Sequence, residues 1–397
     1  MSDGASPSEP ILLSAYVQGG REVEYVTEAV QTRWISTGGP FIARFEDAIR
    51  EVTGAKHAVA CMNGTAALHV LLRLAGVRPG EAVIVPTLAF IAAVNPVAYL
   101  GAHPVFIGCD EYLNIDPDLV RSFFADECVA SDDQLFERAT GRRIAGIVAV
   151  HVFGNPCRMG ALMEIAEAYG VPLIEDAAES LGSRWSEGPL AGRHTGTVGF
   201  GGVLSFNANK IVTSGGGGMV LTDDDKLAAE VRHLTTTAKA DPVRFVHDEV
   251  GYNYRLTNPQ AAIGLAQVET LGERLVAKRD NYHRYLQGID DVEGVWLLGV
   301  PEGTQPNFWF YSLIVEPTEY GCDREALMHG LDAEGIQTRP VWLLNHMQPP
   351  YKGERAYHVE RAVWFWERIL NLPCSPNLTE QEIERVVAVI RRYGGGR

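Results

Sequence analysis

The feature that most constrains this chain is an alternation of short β-branched runs with helical stretches between Ala55 and Leu221. This alternation is typical of a mostly parallel sheet covered by helices on both faces, because parallel strands need long crossover connections. It predicts seven strands in one sheet, at His57–Cys61, Ala82–Val85, Pro104–Ile107, Ile144–Val150, Pro172–Ile174, Gly202–Phe206 and Gly218–Leu221. It predicts helices between them at Ala66–Ala75, Phe90–Leu100, Met159–Tyr169 and Asp223–Leu234.

The pattern changes after Gly251, where helical stretches dominate. It predicts a long helix from Asn258 to about Gly288, a strand at Phe308–Val315, and helices near Arg324–Glu334, Glu354–Leu370 and Thr379–Tyr393. We therefore predict an α/β protein with a large domain over residues 14–257 and a smaller C-terminal α+β domain over residues 258–397.

Charge and composition limit the partners of this chain. The formal net charge is −16, which opposes general binding to nucleic acid or an anionic membrane, so we expect neither partner. Six cysteines without a CxxC pair predict no metal site and no disulfide framework, and the expected location is the reducing cytoplasm. No secretory signal is predicted in Met1–Pro10, and the prolines in Val83–Leu100 argue against a membrane span there.

Lysine is scarce, which narrows the search for a catalytic amine. Lys226 and Lys278 stand among charged residues and are predicted to lie on solvated faces. Lys210 differs, because it follows an apolar strand and precedes the four glycines 215–218. A lysine in a dry site favours the neutral amine, which can attack an aldehyde. The alternative is a strand-end lysine that extends to solvent, and the local pattern leaves both open.

Acidic residues interrupt the end of a predicted buried strand in the segment Leu173–Gly182. A carboxylate at the carboxyl edge of a parallel sheet faces the crevice where ligands bind, and Asp176 there could keep a pyridine nitrogen protonated. The alternative is that Asp176 caps a following helix.

Two further turns follow predicted strands. Asn63-Gly64-Thr65 opens a helix whose backbone N–H groups and Thr65 hydroxyl suit a phosphate, although a simple capped turn explains the same residues. The segment lacks the spacing of a P-loop or of a dinucleotide fingerprint, which argues against an NAD-dependent enzyme. Phe90 follows another strand end and could stack on a planar ring or pack in the core.

Several motifs in order make the chain resemble a known family. They are Ser36-Thr37-Gly38-Gly39-Pro40, Asn63-Gly64-Thr65-Ala66-Ala67, Pro86-Thr87-Leu88-Ala89-Phe90, His151-Val152-Phe153-Gly154-Asn155-Pro156, Glu175-Asp176-Ala177-Ala178-Glu179-Ser180, Ser205-Phe206-Asn207-Ala208-Asn209-Lys210 and Gly251-Tyr252-Asn253-Tyr254-Arg255. With these motifs the chain resembles the DegT/DnrJ/StrS family of pyridoxal phosphate (PLP)-dependent nucleotide-sugar aminotransferases, which have PLP fold type I.

The resemblance implies a role for each matching residue. Lys210 would bind the cofactor aldehyde covalently and carry the proton transfers, and Asp176 would pair with the pyridine nitrogen. The other implied cofactor contacts are Phe90 on the ring, Gly64, Thr65 and Ser205 at the phosphate, Asn253 reaching the phosphate from the neighbouring subunit of a homodimer with shared active sites, and Glu179 near the 3′-oxygen. Glu179 stands where the family often has Gln.

The resemblance also implies a substrate. The motifs look most like the branch that transfers an amino group from L-glutamate to C4 of UDP-2-acetamido-2,6-dideoxy-4-keto-hexose, for cell-surface glycan biosynthesis. GDP- or dTDP-linked keto sugars and a non-catalytic PLP-binding regulator are the alternatives. Candidate substrate contacts are Arg255, Arg339, His346 and Tyr351, because a guanidinium suits carboxylates and phosphates, and structural hydrogen bonds are the alternative for each.

Overall fold

A computed structural model describes residues 9–132 and 134–394 of the chain. Its helices are α1 (Glu22–Gln31), α2 (Pro40–Thr53), α3 (Gly64–Leu74), α4 (Asn95–Tyr99), α5 (Pro117–Glu127), α6 (Met159–Tyr169), α7 (Asp225–Thr235), α8 (Asn258–Glu269), α9 (Leu271–Ile289), α10 (Pro317–Tyr320), α11 (Arg324–Ala333), α12 (Glu360–Arg368) and α13 (Glu380–Gly394). Its strands are β1 (His57–Cys61), β2 (Ala82–Pro86), β3 (His103–Ile107), β4 (Cys128–Ser131), β5 (Gln134–Glu137), β6 (Ile144–Val150), β7 (Leu173–Asp176), β8 (Arg184–Trp185), β9 (Gly201–Ser205), β10 (Gly218–Thr222), β11 (Lys239–Asp241), β12 (Val246–His247), β13 (Val295–Leu297), β14 (Thr304–Gln305), β15 (Tyr311–Val315), β16 (Arg339–Pro340), β17 (Ala356–Tyr357) and β18 (Ile369–Leu372).

The main sheet has the strand order β1-β10-β9-β7-β6-β2-β3-β17. All neighbouring pairs from β9 to β17 are parallel, whereas β10 runs antiparallel to both β1 and β9. The carboxyl ends of β1, β2, β6, β7 and β9 therefore meet at one edge of the sheet. The predicted mostly parallel sheet is confirmed.

Successive side chains along the central strands enter different cores, as the two-residue period of a strand requires. In β2, Val83 and Val85 join the core under α3, α4 and α7, whereas Ile84 joins the core under α5 and α6. A third core packs α1, α2 and α8 against β9 and β10. Helices thus cover both faces, and the strands can be apolar throughout.

The small antiparallel sheet has the order β13-β15-β18-β16 and packs with α9, α11 and α13. The N-terminal segment crosses to this part of the molecule, because Ile11 bridges to Ile336 and the Leu13 carbonyl accepts a hydrogen bond from Cys374 N–H at 2.8 Å. The division into residues 14–257 and 258–397 stays a prediction.

Four details differ from the sequence expectations. The helix expected near Glu354–Leu370 is α-helical only at Glu360–Arg368, because β17 lies before it and Ile369 begins β18. All seven predicted strands are present, but the described residues add an eighth strand to the sheet, β17, which is only two residues long and therefore has no detectable periodicity. The expected helix over 258–288 is two helices that meet at Thr270. Only Asn95–Tyr99 of the expected helix Phe90–Leu100 is α-helical, with Pro96 in its first turn.

In the part of the chain that the structure describes, no helix combines the length and apolar character needed to cross a membrane.

Candidate active site

A cavity of about 730 Å³ lies at the carboxyl edge of the main sheet. It is lined by residues at or just after the ends of β1, β2, β7 and β9, and by residues in and after β16. Open α/β sheets bind ligands at this edge. The predicted site residues that line the cavity are Gly64, Thr65, Phe90, Asp176, Glu179, Ser205, Lys210 and Arg339.

Asp176 is the last residue of β7, and its carboxylate is buried at the cavity wall. Its Oδ1 accepts a hydrogen bond from Ala178 N–H at 3.0 Å. Turns rather than a helix follow it, so the helix-cap alternative is wrong. Burial raises the pKa of Asp176, while the Ala178 N–H bond and the Lys210 charge act in the opposite direction. A cationic ring nitrogen would supply the partner that such a carboxylate needs.

The neighbouring acid, Glu175, has its partners inside the protein. Its carboxylate accepts three backbone N–H bonds of 2.6 to 2.9 Å from the loop 196–199. His151 Nε2 lies 3.0 Å from Glu175 Oε2, and His151 Nδ1 accepts from Cys157 N–H at 3.0 Å. Because Nδ1 is an acceptor, the imidazole proton lies on Nε2. Glu175 is thus a structural acid, and Asp176 is the one that faces the cavity.

Lys210 lies in a turn after β9, where its N–H bonds to the Asn207 carbonyl at 3.0 Å. Its Nζ is 3.5 Å from Glu179 Oε1 and 3.8 Å from the centre of the Trp309 ring system. The side chain is 12% exposed, so the alternative of a lysine that extends to solvent is wrong. Burial lowers the pKa of Lys210, whereas the Glu179 and Asp176 carboxylates act to raise it. A lowered pKa favours the nucleophilic amine.

The N-terminus of α3 opens onto the same cavity. Asn63 caps this helix by accepting from Ala66 N–H at 2.7 Å, and Gly64 and Thr65 follow on the cavity wall. A Cβ on Gly64 would lie 3.1 Å from Ser205 Cβ, so a side chain here would fill the space between the two. The arrangement offers hydroxyl donors and the positive end of a helix dipole to an anion.

The glycines after Lys210 are explained partly by backbone packing. A Cβ on Gly218 would lie 2.4 Å from the Asn63 carbonyl carbon, so β10 can pass the start of α3 only with glycine at this position. Gly217 has a φ of 104°, which also favours glycine. Gly216 and Gly217 line the cavity.

Phe90 projects into the cavity with 49% of its surface exposed. Its ring centre is 5.8 Å from that of Trp342, at an interplanar angle of 53°. The core-packing alternative for Phe90 is therefore wrong, and the ring is free to stack on a planar ligand.

Arg339 lines the cavity from β16 of the small sheet. Its Nη1 donates to the Thr338 carbonyl at 2.8 Å. An exposed guanidinium with further donors available suits a carboxylate or a phosphate.

Two predicted residues of the Gly251–Arg255 motif lie outside the cavity of their own chain. Arg255 Nη1 is 3.1 Å from Glu46 Oε1, and this ion pair holds the guanidinium against α2. Asn253 is exposed and pairs with Thr236 through a backbone bridge. The roles of both in binding stay predictions, and a single chain does not bring them to Lys210.

His346 and Tyr351 are also placed elsewhere. His346 Nδ1 and Thr87 Oγ1 are 2.6 Å apart, and the Tyr351 hydroxyl donates to Asn95 Oδ1 at 2.6 Å. Tyr351 is buried against Phe106, and burial raises its pKa to about 12. Neither residue lines the cavity, and both use their polar atoms to join chain segments that are distant in sequence.

Two tryptophans on the cavity wall, Trp309 and Trp342, were not assigned from the sequence. The Trp309 indole Nε1 donates to the Asn209 carbonyl at 2.7 Å, which orients the ring beside Lys210. Trp309 stands in an apolar run, so nothing in the local sequence separates it from core aromatics. Trp342 comes three residues after the predicted substrate contact Arg339, and this proximity was the available signal.

The remaining lysine predictions have different outcomes. Lys226 is confirmed as a solvated residue, because its side chain is 86% exposed. Lys278 is not on a solvated face: it is 3% exposed and its Nζ donates to the Cys374 carbonyl.

The model of the DegT/DnrJ/EryC1/StrS aminotransferase family matches residues 17–391. The chain belongs to this family. A GDP-perosamine synthase of Caulobacter vibrioides is 37% identical over 372 residues, which cover 94% of this chain and 95% of that protein. EpsN of Bacillus subtilis, whose name assigns it to the PLP-dependent aminotransferases, is 34% identical over 385 residues, which cover 96% of this chain and 95% of that protein. The crystal structure of DesI in the presence of its TDP-sugar product aligns with a TM-score of 0.87 and 28% identity, over 99% of this chain and 95% of that one.

The fold and the cofactor follow from this membership. The chain is an aminotransferase of PLP fold type I, and PLP is the cofactor of the family. The cavity fits this group: Asp176 is a buried carboxylate that needs a cationic partner, Phe90 offers a ring face, and Gly64 leaves open space beside Ser205. When bound, PLP supplies an electron sink for carbanions.

Proposed function

We propose that this chain transfers an amino group from L-glutamate to the C4 keto carbon of a nucleotide-linked 4-keto-6-deoxy sugar. The observation that carries the proposal is the convergence of Lys210 and Asp176 on one cavity, in a family whose relatives include GDP-perosamine synthases and DesI. In this proposal Lys210 is the cofactor lysine, and Lys210 Nζ takes a proton from the donor and returns a proton to the sugar carbon.

In this proposal two anionic substrates bind in the cavity in turn. L-glutamate is a dicarboxylate, and a nucleotide sugar carries a diphosphate. Arg339 is the proposed contact for either, because it lines the cavity and carries an exposed guanidinium. Gly64, Thr65 and Ser205 are then left for the cofactor phosphate, with Phe90 on the ring and Glu179 beside Lys210.

The nucleotide is the finer part of the proposal. The sequence motifs favour UDP-2-acetamido-2,6-dideoxy-4-keto-hexose, with a product used in cell-surface glycans. A GDP-linked 4-keto-6-deoxyhexose is the second candidate, because three relatives at 31% to 37% identity are GDP-perosamine synthases. A dTDP-linked sugar is the third, from the resemblance to DesI.

A test of the substrate uses glutamate with a panel of UDP-, GDP- and dTDP-linked 4-keto-6-deoxy sugars. We expect 2-oxoglutarate release and an amino sugar with nitrogen at C4, fastest with the UDP-linked sugar. Faster turnover of the GDP-linked sugar would replace the UDP proposal. No turnover with any nucleotide sugar would contradict the proposed substrate class.

We also propose a homodimer with shared active sites, in which Asn253 reaches the cofactor phosphate of the partner subunit. Asn253 is exposed and does not line the cavity of its own chain, and the β11–β12 hairpin and the residues just after it expose Val243, Phe245 and Val250. Exposed apolar patches of this kind mark interaction surfaces.

Mixing two inactive variants tests the shared site. Lys210→Ala and Asn253→Ala each lose turnover alone, and unfolding and refolding them together yields mixed dimers with one intact site. Recovered activity in the mixture is expected. A monomer in sedimentation, or no recovery despite mixed dimers, would contradict the shared site.

A further inference from the structure

The free amine of Lys210 is close to both an acid and an aromatic face. Glu179 Oε1 is 3.5 Å from Nζ, and the centre of the Trp309 ring is 3.8 Å from Nζ. An ammonium is stabilised by a carboxylate and by the negative face of an indole. A neutral amine gains little from either.

Both partners are held by hydrogen bonds of their own. Glu179 Oε2 accepts from Phe153 N–H at 2.8 Å, which leaves Oε1 directed toward Lys210. The Trp309 indole is fixed through Asn209, the residue before Lys210, and its backbone N–H donates to Asn307 Oδ1 at 3.0 Å. The two partners are therefore oriented before the amine arrives.

We propose that Glu179 and Trp309 form a resting site for Lys210, which holds its free amine as an ammonium and lets Glu179 take up the proton when the amine reacts. The proton passes from Nζ to Oε1, so Nζ gains the lone pair and Glu179 becomes a neutral acid. The proposal rests on the proposed function, in which Lys210 is the cofactor lysine. Glu179 and Trp309 are positioning residues in this scheme, because they act through Lys210.

The electrostatics agree with this geometry. Burial raises the pKa of Glu179 and lowers the pKa of Lys210, and the charge of each group opposes the shift of the other, so their contact favours the ammonium whereas burial favours transfer of the proton to Glu179. Other charged groups near Lys210 are Asp176 and Arg339 on the cavity wall, and Arg274 and Lys278 in the small cavity behind it. Glu179 is the acid in ion-pair distance of Nζ in the described residues.

The test measures how readily Lys210 reacts in the protein freed of PLP. A trace of acetic anhydride labels lysines over a pH series, mass spectrometry reports Lys210 against exposed Lys226 in the same sample, and each rate is divided by its alkaline plateau to remove effects of access. Glu179→Gln keeps an oxygen for Phe153 N–H and removes the charge. We expect it to raise normalised labelling of Lys210 near neutral pH about tenfold. Trp309→Leu should raise it about threefold.

Glu230→Gln is the matched control, because Glu230 pairs with Lys226 on the surface. This variant should leave the normalised labelling of both Lys210 and Lys226 unchanged. Glu179→Asp should restore part of the wild-type profile. An unchanged Lys210 profile in Glu179→Gln would overturn the resting site, as would a profile displaced to higher pH. If Glu179→Gln fails to fold, Trp309→Phe and Trp309→Leu decide the matter, since equal, unshifted profiles in both would also overturn it.

A separate measurement identifies which proposal fails. Borohydride reduction of the PLP-loaded protein should leave a mass adduct on Lys210. An adduct with an unmoved labelling profile refutes the resting site alone, whereas no adduct on Lys210 refutes the assignment on which both depend.

Discussion

Two buried lysines, Lys210 and Lys278, show why burial alone does not define a catalytic amine. Burial lowers the pKa of both. Lys278 donates to a carbonyl in the small-sheet region and lies against the Tyr311 ring, with no carboxylate in ion-pair distance among the described residues. Lys210 faces a large cavity and lies beside Glu179. Access to a ligand and a nearby proton acceptor are what distinguish a reactive lysine from a structural one.

The largest effect expected from this comparison comes from removing the amine of Lys210. Lys210→Ala should reduce turnover by about 10⁴-fold or more, because one amine performs both covalent and proton-transfer work. Steady-state release of 2-oxoglutarate measures the loss. Lys226→Ala should keep a near-normal rate, and comparable losses in the two variants would refute the assignment of Lys210.

The second-largest effect is expected from Asp176, the proposed partner of the pyridine nitrogen. Asp176→Ala should lower kcat by about 100-fold while PLP still binds, because the variant lacks the buried charge that stabilises a cationic ring nitrogen. Absorbance of the bound cofactor and kcat are measured on the same sample. A fully active variant would count against this role.

Lys278 should respond in stability rather than in chemistry. Lys278→Ala should lower the free energy of unfolding by about 2 kcal/mol, because the Cys374 carbonyl loses its donor and the lysine stem leaves a gap. Urea denaturation measures it, and Lys278→Met separates the stem from the amine. A turnover number per folded molecule that falls as far as in Lys210→Ala would abolish the distinction between the two lysines.

Arg339 extends the comparison to the substrate. Arg339→Gln should raise KM for glutamate or for the nucleotide sugar about tenfold, because a charge-assisted hydrogen bond is lost. Initial rates at varied concentrations of each substrate measure it. Arg121→Gln removes an exposed surface guanidinium and serves as the control, and an unchanged KM for both substrates in Arg339→Gln would exclude the contact.

The smallest effect concerns pH. Because burial lowers the folded pKa of Lys278 below its usual value of 10.5, the unfolded chain binds more protons between the two values. Stability contributed by this site therefore rises with pH across that window and is lost as pH falls through it. The difference in unfolding free energy between wild type and Lys278→Met, measured from neutral to alkaline pH, should grow in favour of wild type. A flat difference would mean that Lys278 keeps its usual pKa.

The sheet and the core of the site were predictable because they follow local periodicity. His57–Cys61 and Met159–Tyr169 have the predicted bounds, and strand ends brought Asp176, Phe90 and Thr65 to one edge. The prediction that Lys278 lies on a solvated face was wrong, because it rested on the charged residues beside Lys278 and not on the position of Lys278 along the helix. Leu271, Arg274, Lys278, Asn281 and Tyr285 recur at helical spacing and share one buried face of α9.

Contacts between distant segments set the limit of sequence reasoning. Tyr351 bonds to Asn95 and His346 to Thr87, each more than 250 residues away along the chain, and no local pattern reports such pairs. Trp309 lies beside Lys210 for the same reason, since it precedes β15 of the small sheet and only the fold brings it to the turn after β9.

The short strand β17 has a consequence for how this protein tolerates truncation. By pairing with β3, Ala356 and Tyr357 cover what would be the open rim of the sheet, where unpaired backbone groups invite other chains. A fragment ending before residue 356 would uncover that rim and become prone to aggregate, even with every strand from β1 to β10 intact. Ala356 and Tyr357 thus reduce the unpaired backbone that β3 presents to other chains.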